Sequence, residues 1–378
     1  MRDFPGAPRR GYREGVSSWA LARARAAVES LHGARLDPDL LRLELARTLR
    51  PAVPFEGWCI TTVDPDALLV SSVVADSPGM RDVVRLMQIE YASDDVNLHR
   101  DLMRRGARVG VLSRATGGDL HRSIRWRDIY QPGGIGDELR VELAVDGRCW
   151  GTMEVVRERH DQPFSDDEAD FALRLAPRVA TLLRHAQARS WSAAGSGDDE
   201  PTPRPGVLIL DASLSIAATT SDAERWLTEL SDAAPRAGSL LPAPILAAAA
   251  SSAYASATSS HVRAATRAGR WVTISAAPLT GPNRAGHTAV TMQRSGLEAT
   301  DLVLEAHGLT PRERQLAGLI LNGLPNDEIA RRLFLSRYTV GDHVKAILAK
   351  VGARSKQEFI AATLGGPYRA RGTLSNAP

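Results

Sequence analysis

Lysine is the residue this chain most nearly does without. It stands only at Lys345, Lys350 and Lys356, so residues 1–344 hold none, although Lys and Arg together number 47. That absence removes two chemistries from nine-tenths of the sequence. One is the GxxxxGK[ST] loop, whose lysine reaches nucleotide phosphates. The other is Schiff-base catalysis. Cysteine is nearly as scarce. Cys59 and Cys149 can build neither a disulfide framework nor a four-cysteine zinc site, so a reduced, cytoplasmic chain is expected. Each lies beside a tryptophan on an expected strand and is read as a buried structural thiol. No apolar run approaches the roughly 18 residues that span a bilayer. The basic opening MRDFPGAPRR is followed by no apolar core, so no signal peptide is read.

Catalytic patterns are missing as well. There is no GxSxG elbow, no HExxH and no paired-cysteine spacing, and no dyad stands out, so the chain is not expected to be an enzyme. His99, His121 and His160 are scattered without ligand spacing; no metal and no cofactor are expected. Gly117-Gly118-Asp119 reads as a loop.

What remains is ordinary globular composition, 43% hydrophobic and 24% charged, on a length that suits two or three domains. The charge is uneven. Residues 308–378 carry 11 Lys+Arg against 5 Asp+Glu, whereas residues 1–307 carry 36 against 39. A basic module on a slightly acidic body points to nucleic acid as the partner of the chain's end.

SWSAAGSGDDEPTPRP, residues 190–205, has little to bury and reads as a linker. Before it, Leu36–Arg50 has helical spacing, and Gly57–Val63 and Leu68–Val74 read as strands across Asp64-Pro65-Asp66. Met80–Tyr91 reads as a helix. Glu138–Val145 and Cys149–Arg157 form a hairpin across Asp146-Gly147. Ser165-Asp-Asp-Glu168 is a capping box opening a helix to about Arg189, with a kink expected at Pro177. Leu175, Val179, Leu182 and Leu183 on that helix either pair two copies or pack on their own sheet. After the linker come strands at Gly206–Leu210 and Leu214–Ala218 and a capping box at Ser221-Asp-Ala-Glu224. An Ala-rich helix then follows Pro244, and three strands close the unit. One antiparallel sheet with helices on one side fits that order. No internal repeat is visible. A second linker is expected at residues 296–308.

The C-terminal module is more specific. Thr310-Pro311-Arg312-Glu313 combines an N-cap, a Pro at N1 and a Glu at N3. That helix stops near Asn322-Gly323. Asn326 is placed to cap a short second helix, Phe334-Leu335 to turn the chain, and Ser336 to cap a third helix to Lys350. Ser355-Lys-Gln-Glu358 opens a fourth. On the third helix Val340, Val344, Ile347 and Leu348 make an apolar stripe. At about 100° per residue, Tyr338, Asp342, Lys345 and Ala349 fall opposite, with Gly341 beside them. A short helix, a tight turn and a longer helix with an uncovered polar face suit the major groove of double-stranded DNA.

LTPRERQLAGLILNGLPNDEIARRLFLSRYTVGDHVKAILAKVGARSKQEFIA, residues 309–361, resembles the LuxR-type (GerE-like) helix-turn-helix family of bacterial transcription regulators. The resemblance is carried by Arg312-Glu313, Gly323, Glu328-Ile329-Ala330, Thr339-Val340, His343-Val344 and Lys350-Val351-Gly352, among others. It implies a tetrahelical domain whose third helix reads DNA and whose fourth often dimerises. The positions it implicates are Asn326, Ser336, Arg337, Tyr338, Thr339, Val340, Gly341, Asp342, His343, Lys345, Lys350 and Arg354. One position departs: the family commonly has a basic residue directly after Thr-Val, where Gly341-Asp342 stand here. Close backbone approach, acceptance by Asp342 from a cytosine amino group, or simply fewer base contacts would each account for the pair. Upstream, PFEGWCITTVDPD, ATGGDL, GGIGDEL and RCWGTMEVVRE give residues 36–189 a resemblance to GAF domains, and element order gives residues 206–295 a PAS-like one. A phosphoacceptor receiver domain is excluded, because that family needs a lysine before Lys345.

The expected architecture is thus α+β and multidomain. An N-terminal helical segment (1–35) precedes GAF-like and PAS-like sensory domains, and an all-α tetrahelical module (309–366) and a tail (367–378) follow. The expected partners are double-stranded DNA, a second copy of the chain and an unidentified small-molecule ligand, with no membrane. A ligand-binding scaffold that has lost DNA binding is the alternative.

Overall fold

The computed structural model of the chain describes residues 18–32, 34, 36–193, 203–230, 241–254, 260–267, 270–282, 286–296 and 298–364. Much of the expected linker, the tail and the first residues of the N-terminal segment lie outside the described residues.

The first unit opens with α1 (Ser18–Ser30) and α2 (Pro38–Leu49), the latter capped by Asp37. β1 (Gly57–Asp64) and β2 (Leu69–Asp76) follow. The chain then makes a 3-10 turn, Pro78–Asp82, before α3 (Val83–Ala92), so the helix expected from Met80 starts three residues later. Asp82 caps it by accepting from the Arg85 N–H at 2.9 Å. α4 (His99–Arg105), β3 (Val109–Val111) and α5 (Leu112–Ala115) lead to β4 (Ile135–Val145) and β5 (Arg148–Glu158). Asp146 and Gly147 both have positive φ, 53° and 77°, the two-residue turn whose twist matches the strands it joins. The sheet order is β2-β1-β5-β4-β3, antiparallel throughout.

α6 (Asp166–Ala193) closes the unit on a complete capping box: the Glu168 N–H donates to Ser165 Oγ at 3.3 Å and the Ser165 N–H to Glu168 Oε2 at 2.8 Å. It passes through Pro177 without ending and runs into the segment expected as a linker. Leu175, Val179, Leu182 and Leu183 are all buried in one core with Leu139, Leu143 and Met153 of the sheet and Leu41 and Leu45 of α2. That stripe belongs to its own sheet. It cannot be the surface that pairs two copies.

The second unit has β6 (Gly206–Leu210), β7 (Ile216–Thr219), α7 (Ser221–Leu230), α8 (Ala243–Tyr254), β8 (Ser260–Ala265), β9 (Trp271–Pro278) and β10 (Thr288–Arg294). Its order, β7-β6-β10-β9-β8, repeats the 2-1-5-4-3 order of the first sheet, an architectural repeat with no counterpart in the residues. Thr220 caps α7, accepting from the Ala223 N–H at 3.4 Å; Ser221 is already inside the helix. The two units share a core in which Leu69 and Met87 of the first join Ile245, Ala247 and Ala248 of α8.

The expected second linker is instead a helix, α9 (Glu298–Ala306). Leu302 and Ala306 pack with Trp150 of β5 and Ala188 of α6, while Leu304 belongs to the core of the C-terminal module. A segment with apolar residues on two faces is held between two bodies; it does not swing free. The module itself is α10 (Pro311–Leu321), α11 (Asn326–Leu333), α12 (Arg337–Val351) and α13 (Lys356–Leu364). Among the described residues no helix is long and apolar enough to cross a membrane.

Candidate nucleic-acid interface

Thr310 and Glu313 start the module. Thr310 N–H donates to Glu313 Oε2 at 2.7 Å and Glu313 N–H to Thr310 Oγ1 at 3.3 Å, so two of the helix's orphan donors are satisfied reciprocally. Gly323, at φ +79°, turns the chain out of α10. α11 then begins at Asn326, with Pro325 as its cap residue and no side-chain cap. Asn326 was expected to cap this helix and to meet DNA. Its amide oxygen instead accepts from Lys356 Nζ at 2.5 Å, tying α11 to α13.

The turn between α11 and α12 is sharp. Phe334 takes the left-handed conformation (φ 55°, ψ 44°) and is 95% exposed. The Leu335 N–H closes the end of α11 by donating to Ala330 O at 2.9 Å. Ser336 Oγ then accepts from the Thr339 N–H at 3.0 Å and opens α12, which Gly352 ends at φ +77°.

Burial divides α12 along the line its spacing implies. Val340, Val344 and Ile347 are buried with Leu316, Ile320, Ile329 and Phe359. Tyr338 and Lys345 are about four-fifths exposed, at 80% and with a side chain at 81%. Asp342 is exposed beside them and Gly341 half-buried. Thr339 and His343 are half-buried; Ser336, Arg337 and Arg354 are exposed at or near the helix ends. Arg337 Nε pairs with Asp327 of α11 on the surface of their shared corner. Two expected contacts are not on this face. Val340 is fully buried, since one residue's step of about 100° carries it from the Thr339 edge into the core. Lys350 turns back onto α10, its Nζ 2.6 Å from Glu313 Oε2. Burial alone would raise the Glu313 carboxyl, but the donors Lys350 and Thr310 hold it below the usual range.

A second constellation was not foreseen. On β4, Glu138, Arg140 and Glu142 alternate with Leu139, Val141 and Leu143, a pattern that reads as a solvated face. Here it is covered by α3, α4 and the segment from Asp95 to Tyr130. His99 lies between Glu142 and Glu154, with Nδ1 2.5 Å from one carboxylate and Nε2 2.6 Å from the other. Arg140 pairs with Glu90 at 2.7 Å and Glu138 at 3.1 Å, and Arg125 with Glu138 at 2.7 Å and Asp95 at 3.2 Å. Burial alone would push the His99 imidazolium down, but Glu142 and Glu90 outweigh it and lift its pKa to about 10. Burial likewise opposes ionisation of Glu90 and Glu154, yet their pKa values fall to about 2, chiefly because of Arg140. Cys149 borders the group, its Sγ donating to Gly151 O at 3.1 Å, and burial pushes its thiol well up. Both cysteines are buried, as structural thiols should be. Among the described residues no His/Cys/Asp/Glu group is placed to hold a metal ion.

With a short helix and a longer one set at a left-handed corner and an uncovered face on the second, the C-terminal geometry defines a helix-turn-helix module. Residues 307–363 match the family described as bacterial regulatory proteins, luxR family, so this module is a luxR-family domain. The nitrate/nitrite response regulator protein NarL of Escherichia coli is 48% identical over 54 residues, 14% of this chain and 25% of that protein. The DNA-binding transcriptional activator DevR/DosR of Mycobacterium tuberculosis is 38% identical over 76 residues, 20% of this chain and 34% of that one. The chain thus spans a quarter to a third of the length of these curated relatives. Among solved structures, that of a GAF domain/HD domain protein from Geobacter sulfurreducens aligns with 40% of this chain and 95% of its own (TM-score 0.31, 21% identity). Escherichia coli SdiA aligns with 90% of this chain and 96% of its own at TM-score 0.31 and 11% identity.

Proposed function

We propose that the chain is a sequence-specific, DNA-binding transcriptional regulator in which α12 lies in the major groove. The observation that carries this reading is the division of α12: its apolar side is sealed into a four-helix core, and Tyr338, Asp342 and Lys345 are left exposed with Gly341 at their edge. A helix in a folded module that presents one polar face and no lid is free to meet a groove about 12 Å wide. Ser336, Arg337, Thr339, His343 and Arg354 flank that face and contact the phosphates and groove walls; Lys345 reaches a base edge. The units within residues 36–189 and 206–295 act as sensory bodies for a small-molecule ligand, and the active form on DNA is a homodimer. Since the α6 stripe is consumed by its own sheet, the two copies meet elsewhere. No catalytic chemistry is part of this reading, and the protein works in the cytoplasm.

The test is a titration of the full chain against genomic duplex fragments at two salt concentrations. Binding that weakens steeply with salt, through counterion release, supports the reading. No binding at low salt would favour a scaffold that has lost its DNA partner.

A further inference from the structure

We infer that Asp342 and Lys345 read one C·G base pair together, and that Gly341 brings the backbone close enough for them to do so. This rests on the proposal that α12 enters the major groove, and it names the sequence class that the helix selects.

Gly341 is the first observation. It sits in the second turn of a fifteen-residue helix, where glycine is a poor choice. Packing does not demand it: a Cβ built there would meet no atom within 4 Å. Nor does the backbone, since Gly341 is not among the residues with positive φ. The protein's own fold therefore gives no reason for a missing side chain at this point. On the face that meets DNA, its effect is to let the helix axis come nearer the groove floor.

Asp342 is the second. A carboxylate facing DNA is repelled by phosphates, so its place on this face must be offset by a donor. In the major groove only the amino groups of cytosine and adenine donate. Adenine sets its N7 acceptor beside that amino group, which a carboxylate would also meet. Cytosine has no acceptor on that edge. The side chain of Asp is short, which is why the closer approach allowed by Gly341 matters.

Lys345 completes the pair. Across from cytosine, guanine shows O6 and N7, both acceptors, and an ammonium satisfies them. Cytosine N4 and guanine O6 are themselves hydrogen-bonded, about 2.9 Å apart. A carboxylate on one and an ammonium on the other must then lie a few ångströms apart. Asp342 Oδ1 and Lys345 Nζ are 3.7 Å apart, on side chains 53% and 81% exposed. That separation falls within the few ångströms that the base pair's two edges require.

The experiment uses the full chain. A randomised duplex pool is selected on the wild type. The winning duplex is then titrated with wild type, Asp342→Ala, Asp342→Asn and Lys345→Ala, with thermal melts of each. The expected result is a fixed C·G pair in the selected site. Replacing it by T·A, or its cytosine by N4-methylcytosine, should weaken wild-type binding about tenfold or more. Asp342→Ala should melt like wild type and no longer distinguish cytosine from N4-methylcytosine, whereas Asp342→Asn, whose amide oxygen still accepts, should keep part of that preference. Tighter binding of the Asp342 variants to every duplex alike, with the preference intact, would make Asp342 a repulsive charge only and overturn the inference. So would a selected site with no C·G pair sensitive to Asp342. Failure of the wild type to bind any duplex would instead overturn the DNA-binding reading on which the inference stands.

Discussion

Lys350, one residue from the end of α12, places its Nζ 2.6 Å from Glu313 Oε2, on the residue that also closes the capping box of α10. One carboxylate therefore starts the first helix of the module and anchors the third. Lys345, five residues earlier, is exposed and, among the described residues, pairs with Asp342 across 3.7 Å. Two lysines on one helix thus lie in opposite surroundings, and substitution is expected to separate their roles.

Lys350→Ala should lower the stability of the module by about 1 kcal/mol, since a partly exposed charge-assisted bond is lost and Glu313 is left with Thr310 alone. Its DNA affinity, measured well below the melting temperature, should be close to wild type. Lys345→Ala should do the reverse: an unchanged melt and binding weaker by about tenfold, as expected for the loss of about 1–3 kcal/mol at a base edge. Paired melts and titrations on the same preparations decide it; equal effects of the two substitutions on binding would contradict the assignment.

The charged cluster of the first unit makes its stability depend on pH in both directions. His99 has a folded pKa of about 10 against 6.5 unfolded, so its contribution is complete below 6.5 and is lost as pH rises toward 10. Glu90 and Glu154 have folded values of about 2 against 4.5, so theirs is complete above 4.5 and is lost as pH falls toward 2. Urea midpoints should therefore be highest between about 4.5 and 6.5 as far as these groups decide it. His99→Gln should flatten the alkaline decline. An alkaline slope that survives this substitution would assign the decline to other groups.

Arg263 of β8 joins the two sheets by donating to Asp64 at the end of β1, with Nη2–Oδ1 at 2.6 Å and Nε–Oδ2 at 2.7 Å. Asp64 is fully buried. Arg263→Ala leaves that carboxylate without its guanidinium and should cost about 3–5 kcal/mol. Combining it with Asp64→Asn should recover part of the loss, because the uncompensated charge is then gone. A single variant as stable as wild type in urea would show that the two units do not depend on this contact.

Glu305 on α9 holds Arg148 of the β4–β5 hairpin at 3.0 Å with one carboxylate oxygen and Arg314 of α10 at 2.8 Å with the other. Glu305→Gln should loosen the seam between the body and the C-terminal module while leaving each core whole. Faster amide exchange confined to α9 and the start of α10 is the expected signature; exchange that rises throughout α12 would mean the module's own core depends on Glu305.

Local signals were legible wherever a few residues carry the whole physical cause. The Asp146-Gly147 hairpin, the Thr310 and Ser336 caps and the Val340–Val344–Ile347 stripe were all visible in the residues because each depends on neighbours in the chain. The misreadings came from tertiary contacts. Residues 296–308 looked like a linker because nine helical residues say little until Trp150 and Ala188 are there to receive Leu302 and Ala306. The burial of Glu138, Arg140 and Glu142 was not legible, because their partners Glu90, His99 and Arg125 come from distant segments. The pairings of Asn326 with Lys356 and of Lys350 with Glu313 were hidden as well, because the partners lie 30 and 37 residues apart in the chain.

The central claim, that α12 reads DNA with its uncovered face, is tested most directly by one binding titration. The full chain and its Lys345→Ala variant are titrated against the same selected duplex at low and at physiological salt. The account predicts sequence-specific binding by the wild type, weakened steeply by salt, and a variant that binds about tenfold more weakly with a shallower salt dependence. Equal affinities for wild type and variant, or no duplex bound at low salt, would contradict it.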